Sequence, residues 1–172
     1  MTMKLTARLV PLLLLAALAG LVPACANYVG SIAPGTPGPD VQARMGPPAE
    51  VWKNTDGTET WEYRTGPAGY YTYMVDLGPD RAVRAVNQVL DEPYFARVQP
   101  GMSRDQVRRV LGGPKEIVHY PRKNEEVWTW RFKQEKVWYR LFMVTFDEST
   151  GAVLGTFRMD DPAYYDKGGK RG

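Results

Sequence analysis

The chain has 172 residues, of which 22 are lysine or arginine and 19 are aspartate or glutamate. Two of the basic residues, Lys4 and Arg8, precede the first apolar run, and without them 20 of the 22 remain against 19 acidic residues. A protein that binds nucleic acid needs a concentrated basic face. The nearly balanced charge therefore excludes nucleic acid from the expected partners.

The first residues resemble an export signal. Residues 9–22 form an apolar run that is interrupted mainly by Pro11 and Gly20. The run is shorter than the roughly 20 apolar residues that span a bilayer, which favours a cleaved signal peptide over a membrane-spanning helix. We assign residues 1–25 to this signal and expect an exported protein.

Cys25 is the single cysteine, so a disulfide within the chain is excluded. It ends the sequence Leu-Val-Pro-Ala-Cys, which resembles the lipobox of bacterial lipoproteins, although Pro23 departs from that pattern. The resemblance implies an acylated Cys25 that anchors the protein to the periplasmic face of the outer membrane. The alternative is cleavage after Ala26, which would discard the cysteine and release a soluble periplasmic protein.

Two further segments carry little apolar periodicity. Residues 26–39 are rich in glycine, proline and serine and predict a flexible tether. Residues 161–172 predict a disordered tail, in which glycines separate Lys167 from Lys170 and Arg171. A weak contact of these cations with anionic phospholipid headgroups is a further expectation.

The remainder of the chain contains an internal repeat. Residues 41–51 align without a gap with residues 107–117, and each stretch predicts a short helix. The helices end at Gly46 and Gly112, which we expect in the left-handed αL conformation, and a nearby proline prevents continuation. The sequence therefore predicts two tandem modules, a degenerate one over residues 40–90 and a second one over residues 91–160.

Helix caps support the second module. Ser103 is a good N-cap, and Gln106 three residues later completes a capping box. Between the two copies, Asp91 as an N-cap and Pro93 in the first turn predict one more short helix.

An aromatic phrase follows the helix in each copy. It is ETWEYR at residues 59–64 and EVWTWR at residues 126–131, with aromatic side chains at the period of two that is typical of strands. We interpret Trp61, Tyr63, Trp128 and Trp130 as core residues. Two more strands are predicted in each copy, at residues 70–76 and 82–89 and at residues 137–147 and 152–159. The predicted fold class is α+β, with two modules that each pack short helices on a three-stranded antiparallel sheet.

Four stretches of the second module carry a family resemblance. They are the helix motif at residues 94–107, Leu-Gly-Gly-Pro at 111–114, the aromatic strand at 128–132 and Val-Thr-Phe-Asp at 144–147. Together they resemble the SmpA/OmlA, or BamE-like, family of outer-membrane lipoproteins, whose typical member has a single module. The resemblance implies an accessory role in the assembly of β-barrel outer-membrane proteins. It also implies contacts with envelope proteins, including the β-barrel assembly machinery, and with phospholipid.

Residues suited to catalysis are scarce. His119 is the single histidine, which leaves little for a histidine-based metal site or acid-base pair. Neighbouring carboxylates such as Glu125 and Glu126 would point to opposite faces of a strand. The glycines at 112 and 113 end a helix instead of opening one, so they do not form a phosphate loop. We expect no catalytic, cofactor-binding or metal-binding site, and we do not expect an enzyme.

A binding surface has more support. In residues 137–146 both alternating sets of side chains are apolar or aromatic, with Trp138, Phe142, Val144 and Phe146 in one set and Tyr139, Leu141 and Met143 in the other. One face should cover the helices. The other face meets either the sister module or a partner, because large apolar patches are rarely left without a role. The candidate partner-binding residues are therefore Tyr139, Leu141 and Met143.

Two functions remain after these exclusions. The first is a non-enzymatic outer-membrane lipoprotein that acts as an accessory scaffold in β-barrel assembly or envelope maintenance. The second is a periplasmic inhibitor-type binding module, since secreted β-lactamase inhibitor proteins resemble this plan of two helix-and-sheet units. The scarcity of catalytic residue types disfavours a periplasmic hydrolase.

Overall fold

The computed structural model describes residues 29–65 and 69–165. The predicted signal segment, with Cys25, lies outside these residues. Within the described part of the chain, no helix is both long and apolar enough to cross a membrane.

The first module packs one helix on an antiparallel sheet. A 3-10 turn at Val29–Ser31 precedes helix α1 (Gly38–Met45). The strands are β1 (Glu50–Lys53), β2 (Glu59–Arg64), β3 (Thr72–Leu77) and β4 (Val83–Gln88), and they pair in chain order.

The second module repeats this plan with longer strands. Helices α2 (Glu92–Phe95) and α3 (Arg104–Leu111) precede β5 (Glu116–Tyr120), β6 (Glu125–Gln134), β7 (Trp138–Asp147) and β8 (Val153–Asp160), and helix α4 (Pro162–Tyr165) follows them. A 3-10 turn at Pro121–Lys123 joins β5 to β6. These four strands form a second antiparallel sheet, again in chain order.

The predicted α+β class and the plan of two tandem modules are confirmed, but the predicted number of strands is wrong. Each sheet has four strands instead of three because β1 and β5 were missed. Both are short edge strands of four and five residues, and neither contains a fully buried side chain. They therefore lack the alternation of buried aromatic residues that identified β2 and β6.

Part of the predicted tether belongs to the fold. Val29 and Ile32 are buried in the core of the first module. The backbone N–H of Gly35 donates to the carbonyl of Val83 over 2.7 Å, and the N–H of Val83 donates to the carbonyl of Thr36 over 2.9 Å. Two isolated apolar residues among glycines and prolines give no periodic signal, so the sequence could not predict this docking.

The first residues of the predicted disordered tail belong to the fold, and the remainder, residues 166–172, lies outside the described residues. Residues Pro162–Tyr165 form α4, and Asp161 before them is buried. The Asp161 carboxylate accepts a hydrogen bond of 3.0 Å from the backbone N–H of Ala163. This contact fixes the first turn of α4.

The predicted caps of the second module are confirmed. Ser103 and Gln106 form the capping box of α3, and Asp91 accepts from the backbone N–H of Glu92 at the start of α2. In the first module α1 has no side-chain cap and starts with prolines around Gly38. The better-capped helix therefore lies in the second module.

Each module has its own core on the face of the sheet that carries the helices, here called the inner face. The buried aromatic residues of the two cores include the four that were predicted, namely Trp61, Tyr63, Trp128 and Trp130. Trp138, which the alternation placed with the core set, is instead exposed. It lies at the end of the β6–β7 hairpin, where it pairs with Gln134 beyond the reach of the helices.

The repeated aromatic phrase makes the same contacts twice. The indole N–H of Trp61 donates to the Glu59 carboxylate over 2.7 Å, and the indole N–H of Trp128 donates to Glu126. Each tryptophan therefore satisfies its buried N–H with the acid two residues earlier.

The second aromatic residue of the phrase closes the helix. The Tyr63 hydroxyl donates to the carbonyl of Gly46 over 3.2 Å, and the Trp130 indole N–H donates to the carbonyl of Gly112, also over 3.2 Å. A carbonyl at the end of a helix has no intrahelical partner. In each module, the repeated phrase on β2 or β6 therefore donates the hydrogen bond that satisfies the carbonyl at the end of the helix.

These two glycines adopt a conformation that differs from the αL prediction. Gly46 has φ 78° and ψ −173°, and Gly112 has φ 76° and ψ −173°. This extended region at positive φ is accessible essentially to glycine alone. The surroundings differ, however, because a Cβ on Gly112 would lie 2.8 Å from Thr72 and 2.9 Å from Glu62, whereas a Cβ on Gly46 would meet nothing within 4 Å.

The two glycines form a matched test of this difference. We expect Gly46→Ala to cost about 1–2 kcal/mol of unfolding free energy from backbone strain alone. Gly112→Ala should cost at least about 1 kcal/mol more, because the new methyl group also overlaps the first module. Urea denaturation monitored by tryptophan fluorescence measures both values, and equal losses would contradict the close packing around Gly112.

Candidate functional site

The two modules meet where the end of α3 packs on the first sheet. The contact uses the outer face of that sheet, which is the face turned away from α1. Glu62 lies on this face and is 0% exposed, and its Oε1 accepts a hydrogen bond of 3.0 Å from the backbone N–H of Gly113. Arg64 donates to the same carboxylate oxygen. A buried carboxylate is tolerated when it is paired and hydrogen-bonded in this way.

Polar contacts extend this junction along α3. The Arg108 guanidinium lies 3.0 Å from the Glu50 carboxylate. At the connection between the modules, the N–H of Val89 donates to the carbonyl of Thr72 over 2.9 Å. The inner side of α3 buries Val107 and Leu111 in the second core. Helix α3 is therefore shared by both modules, and its C-terminal end covers Glu62 and Thr72 on the outer face of the first sheet.

Among the described residues, the outer face of the second sheet is well covered on β6, where Thr129 is 5% exposed, and less covered toward the edge strand β8. The strand register aligns Thr129 with Met143 and Phe157, and it aligns Arg131 with Leu141 and Met159. Phe157 is 58% exposed and Met159 is 37% exposed. The outer face of the second sheet is therefore an apolar surface that includes Leu141, Met143, Phe157 and Met159.

One end of this surface is covered by α4 and by a loop of the first module. Tyr139 stacks on Tyr164 with ring centroids 3.6 Å apart, and it makes an edge contact of 4.9 Å with Tyr70. The Lys133 ammonium lies 4.7 Å from the centroid of Tyr139. We name Tyr70, Lys133, Tyr139 and Tyr164 the tyrosine cluster.

A buried ion pair holds α4 beside the tyrosine cluster. The Asp161 carboxylate lies 3.1 Å from the Arg131 guanidinium and accepts a hydrogen bond of 3.2 Å from the Tyr70 hydroxyl. Burial, followed by the negative charge of Asp161, raises the pKa of Tyr70. The Tyr70 hydroxyl therefore remains a neutral donor at physiological pH.

The three predicted partner-binding residues lie on this outer face, in different surroundings. Tyr139 belongs to the tyrosine cluster, Leu141 lines a depression of about 320 Å³ beside Pro162, and Met143 lies next to Phe157. The sister module reaches the surface at Tyr139 through Tyr70. The contact with the sister module is therefore observed at Tyr139, and partner binding by the three residues stays a prediction.

Sequence reasoning missed Phe157 and Met159 as members of the surface. Both lie on β8, which was predicted as a strand. The missing step was the antiparallel register, which places them beside Met143 and Leu141. An alternation test applied to residues 153–160 would have identified them, since Phe157 and Met159 are two residues apart.

His119 lies at the surface of the protein. It is part of β5, and its Nδ1 atom is 2.8 Å from the Glu148 carboxylate. Within the described residues, no group of three or more histidine, cysteine, aspartate or glutamate side chains is arranged to hold a metal ion. His119 therefore pairs with Glu148 and does not belong to a metal-binding group among the described residues.

Residues 87–151 match the family model of the outer membrane protein assembly factor BamE domain. The match extends from the end of β4 to the turn before β8, so it covers most of the second module. It confirms the BamE-like resemblance for this segment.

Two solved structures show weak similarity to the chain. One is a candidate β-lactamase inhibitor protein from Streptococcus mutans, with 13% identity, coverage of 77% of this chain and 88% of that chain, and a TM-score of 0.31. The other is an extracellular protein with an SCP domain from Bacillus anthracis, with 15% identity, coverage of 76% and 45%, and a TM-score of 0.27. Scores of this size support no inference about the fold or function of this chain. No curated protein matches its sequence.

Glu126 is the buried acid that links α3 to β6. It accepts from the indole of Trp128, and the Arg104 Nε atom donates to it over 2.7 Å. Burial alone would raise the pKa of Glu126, but the hydrogen bonds from Trp128 and Arg104 outweigh burial and hold the pKa below its usual value. The ionised form is therefore the one that the fold stabilises.

This lowered pKa predicts how Glu126 contributes to stability as a function of pH. Its contribution is present above the unfolded-state pKa of about 4.3 and is lost as the pH falls through the lower folded-state value. We expect Glu126→Gln to cost about 1–2 kcal/mol at pH 7 and progressively less below about pH 4. Glu59→Gln changes the equivalent residue of the first module and is the matched control. Chemical denaturation over this pH range measures both, and a loss for Glu126→Gln that does not depend on pH would contradict the assignment.

Proposed function

We propose that the protein is a non-enzymatic outer-membrane lipoprotein that acts as an accessory scaffold in β-barrel outer-membrane protein assembly or envelope maintenance. The observation that carries this proposal is the match of residues 87–151 to the BamE domain of an outer-membrane protein assembly factor. The exported, lipid-anchored character expected from residues 1–25 is consistent with that location.

The outer face of the second sheet is the docking surface in this proposal. Its exposed apolar side chains lie on a sheet whose inner face is already filled by its own core. An exposed apolar patch on a folded protein often marks an interaction site. Met143 and Leu141 lie at the centre of the patch, between β6 and β8.

Tyr139 supports this surface at its edge. Its ring packs between Tyr70 of the first module and Tyr164 of α4. The first module thus stabilises the docking surface through the tyrosine cluster. This arrangement gives the additional module a role in shaping the contact surface of the second.

Attachment to the membrane is assigned to an acyl chain on Cys25. Buried methylenes contribute about 0.8 kcal/mol each, and more than one acyl chain gives durable attachment. The cations Lys167, Lys170 and Arg171 would add a weak attraction to anionic headgroups. Envelope proteins, including the β-barrel assembly machinery, are the proposed partners.

Intact mass spectrometry of the protein extracted from membranes tests the anchor. We expect a mature chain that begins at Cys25 and carries the added mass of its acyl groups. Cys25→Ser should abolish this mass and move the protein to the soluble fraction. A mature wild-type chain that begins after residue 26, without acyl groups, would instead establish a soluble periplasmic protein.

Cross-linking in isolated membranes tests the docking surface. Met143→Gln keeps the size of the side chain but places a polar amide on the patch, so it should reduce cross-links to barrel-assembly subunits at least about fivefold. Ile117→Gln changes a residue that is 46% exposed on β5 and is the matched control. Unchanged cross-links for Met143→Gln, or equal losses for both variants, would contradict the assignment, and circular dichroism verifies that both variants are folded.

A further inference from the structure

Strand β8 is an exposed edge of the second sheet. It spans Val153–Asp160 and is the last strand in the order β5-β6-β7-β8. Among the described residues, β7 is the strand that pairs with it, and an isolated bridge joins Ser103 to Ala152 just before it. Most of the length of β8 therefore has one strand neighbour instead of two.

The register shows which backbone groups of β8 face away from the sheet. The N–H of Asp161 donates to the carbonyl of Tyr139 over 3.0 Å. Because hydrogen-bonded and non-bonded pairs alternate in an antiparallel ladder, Met159 and Phe157 also direct their backbone groups to β7. The N–H and C=O groups of Thr156, Arg158 and Asp160 consequently point outward.

The start of β8 confirms this outward direction. The N–H of Val153 donates to the carbonyl of Met102 over 2.8 Å, and the carbonyl of Val153 accepts from Gly101 over 2.9 Å. The backbone groups of Val153 point outward although it is odd-numbered, unlike Thr156, Arg158 and Asp160, because the register shifts between Thr145 and Phe146. The segment at residues 101–102 thus occupies the first outward position and leaves the edge from Thr156 to Asp160.

The other sheet edges are better protected against strand pairing. Strand β1 has four residues and follows two prolines, and β5 has five residues and precedes Pro121. The start of β4 is bonded to the N-terminal segment through Val83. Natural proteins usually protect their edges with short strands, prolines, lysines or covering segments. The free part of β8 has neither proline nor lysine, and its charged residues Arg158 and Asp160 form ion pairs with Glu92 and Arg140. It also carries the exposed Phe157 and Met159.

We propose that the edge of β8 binds an extended segment of another polypeptide by strand addition. The outward groups of Thr156, Arg158 and Asp160 would bond its backbone, and its alternate apolar side chains would continue the outer face beside Phe157 and Met159. The inference rests on the proposed function, in which β-barrel membrane proteins are assembled. The strands of these proteins alternate apolar and polar residues, as the edge of β8 requires. It specifies the class of partner, namely an unpaired β-strand.

A synthetic ten-residue peptide tests this proposal with the soluble protein that lacks residues 1–24 and carries Cys25→Ser. The peptide alternates valine and phenylalanine with threonine and lysine, and a fluorescent label reports binding by anisotropy. A second peptide with methylated amide nitrogens at alternate positions loses the donors that face β8. We expect binding of the first peptide and at least about tenfold weaker binding of the second.

Two proline variants of β8 test the direction of its backbone groups. Thr156→Pro removes an outward N–H and should weaken peptide binding at least about tenfold without breaking the ladder to β7. Phe157→Pro removes an N–H that faces β7 and should lower the melting temperature much more. Phe157→Ser tests the side-chain contact with the backbone intact, and Ile117→Ser on the opposite edge is its control. Equal affinity of the two peptides, or unchanged binding to Thr156→Pro, would overturn the proposal.

Sedimentation of the protein without peptide distinguishes a second occupant of the same edge. Two copies could pair β8 with β8 around Phe157, and a dimer that Thr156→Pro dissociates would overturn the assignment to another polypeptide. The result also separates this inference from the proposed function. Peptide binding could fail while Met143→Gln still reduces cross-links to barrel-assembly subunits, which would reject strand addition and retain the scaffold role.

Discussion

The end of helix α3 is held between two sheets by a backbone contact that only glycine permits. Gly112 has a positive φ and leaves no room for a Cβ against Thr72, and the next N–H, that of Gly113, donates to the buried carboxylate of Glu62. Burial of this carboxylate would be costly without its hydrogen bonds. The contact covers part of the outer face of the first sheet and gives α3 a place in both modules. On the outer face of the second sheet, Phe157 and Met159 stay exposed.

The first module has no equivalent of this contact. In the alignment of residues 41–51 with 107–117, Gln42 and Pro47 stand where the second module has Arg108 and Gly113. Proline has no N–H to donate, so α1 cannot make the same hydrogen bond to a further sheet. On the second sheet α4 packs beside Arg131, the residue that corresponds to Arg64 in the repeated phrase. The chain therefore forms a stack of two modules, with α4 as a partial cap.

The features that sequence reasoning predicted are those that a local pattern determines. The capping box of Ser103 and the glycines that end both helices were visible because they depend on residues a few positions apart. The docking of Val29 on the first core and the position of α4 depend on partners far away in the chain, such as Tyr70, which bonds Asp161. For the candidate site, one strand supplied Tyr139, Leu141 and Met143, and the register was needed to add the residues of β8. Tertiary contacts decide these cases, so a single sequence carries little signal for them.

Native-state hydrogen exchange is the most direct test of the claim that the shared helix joins both modules into one body. The amides of β2 and β3 report on the first module, and those of β6 and β7 report on the second. If α3 couples the modules, the slowest amides of both sheets should exchange with the same free energy of opening and the same dependence on denaturant. Exchange of β2 and β3 at a clearly lower free energy, while β6 and β7 stay protected, would show that the first module opens independently and would contradict the account.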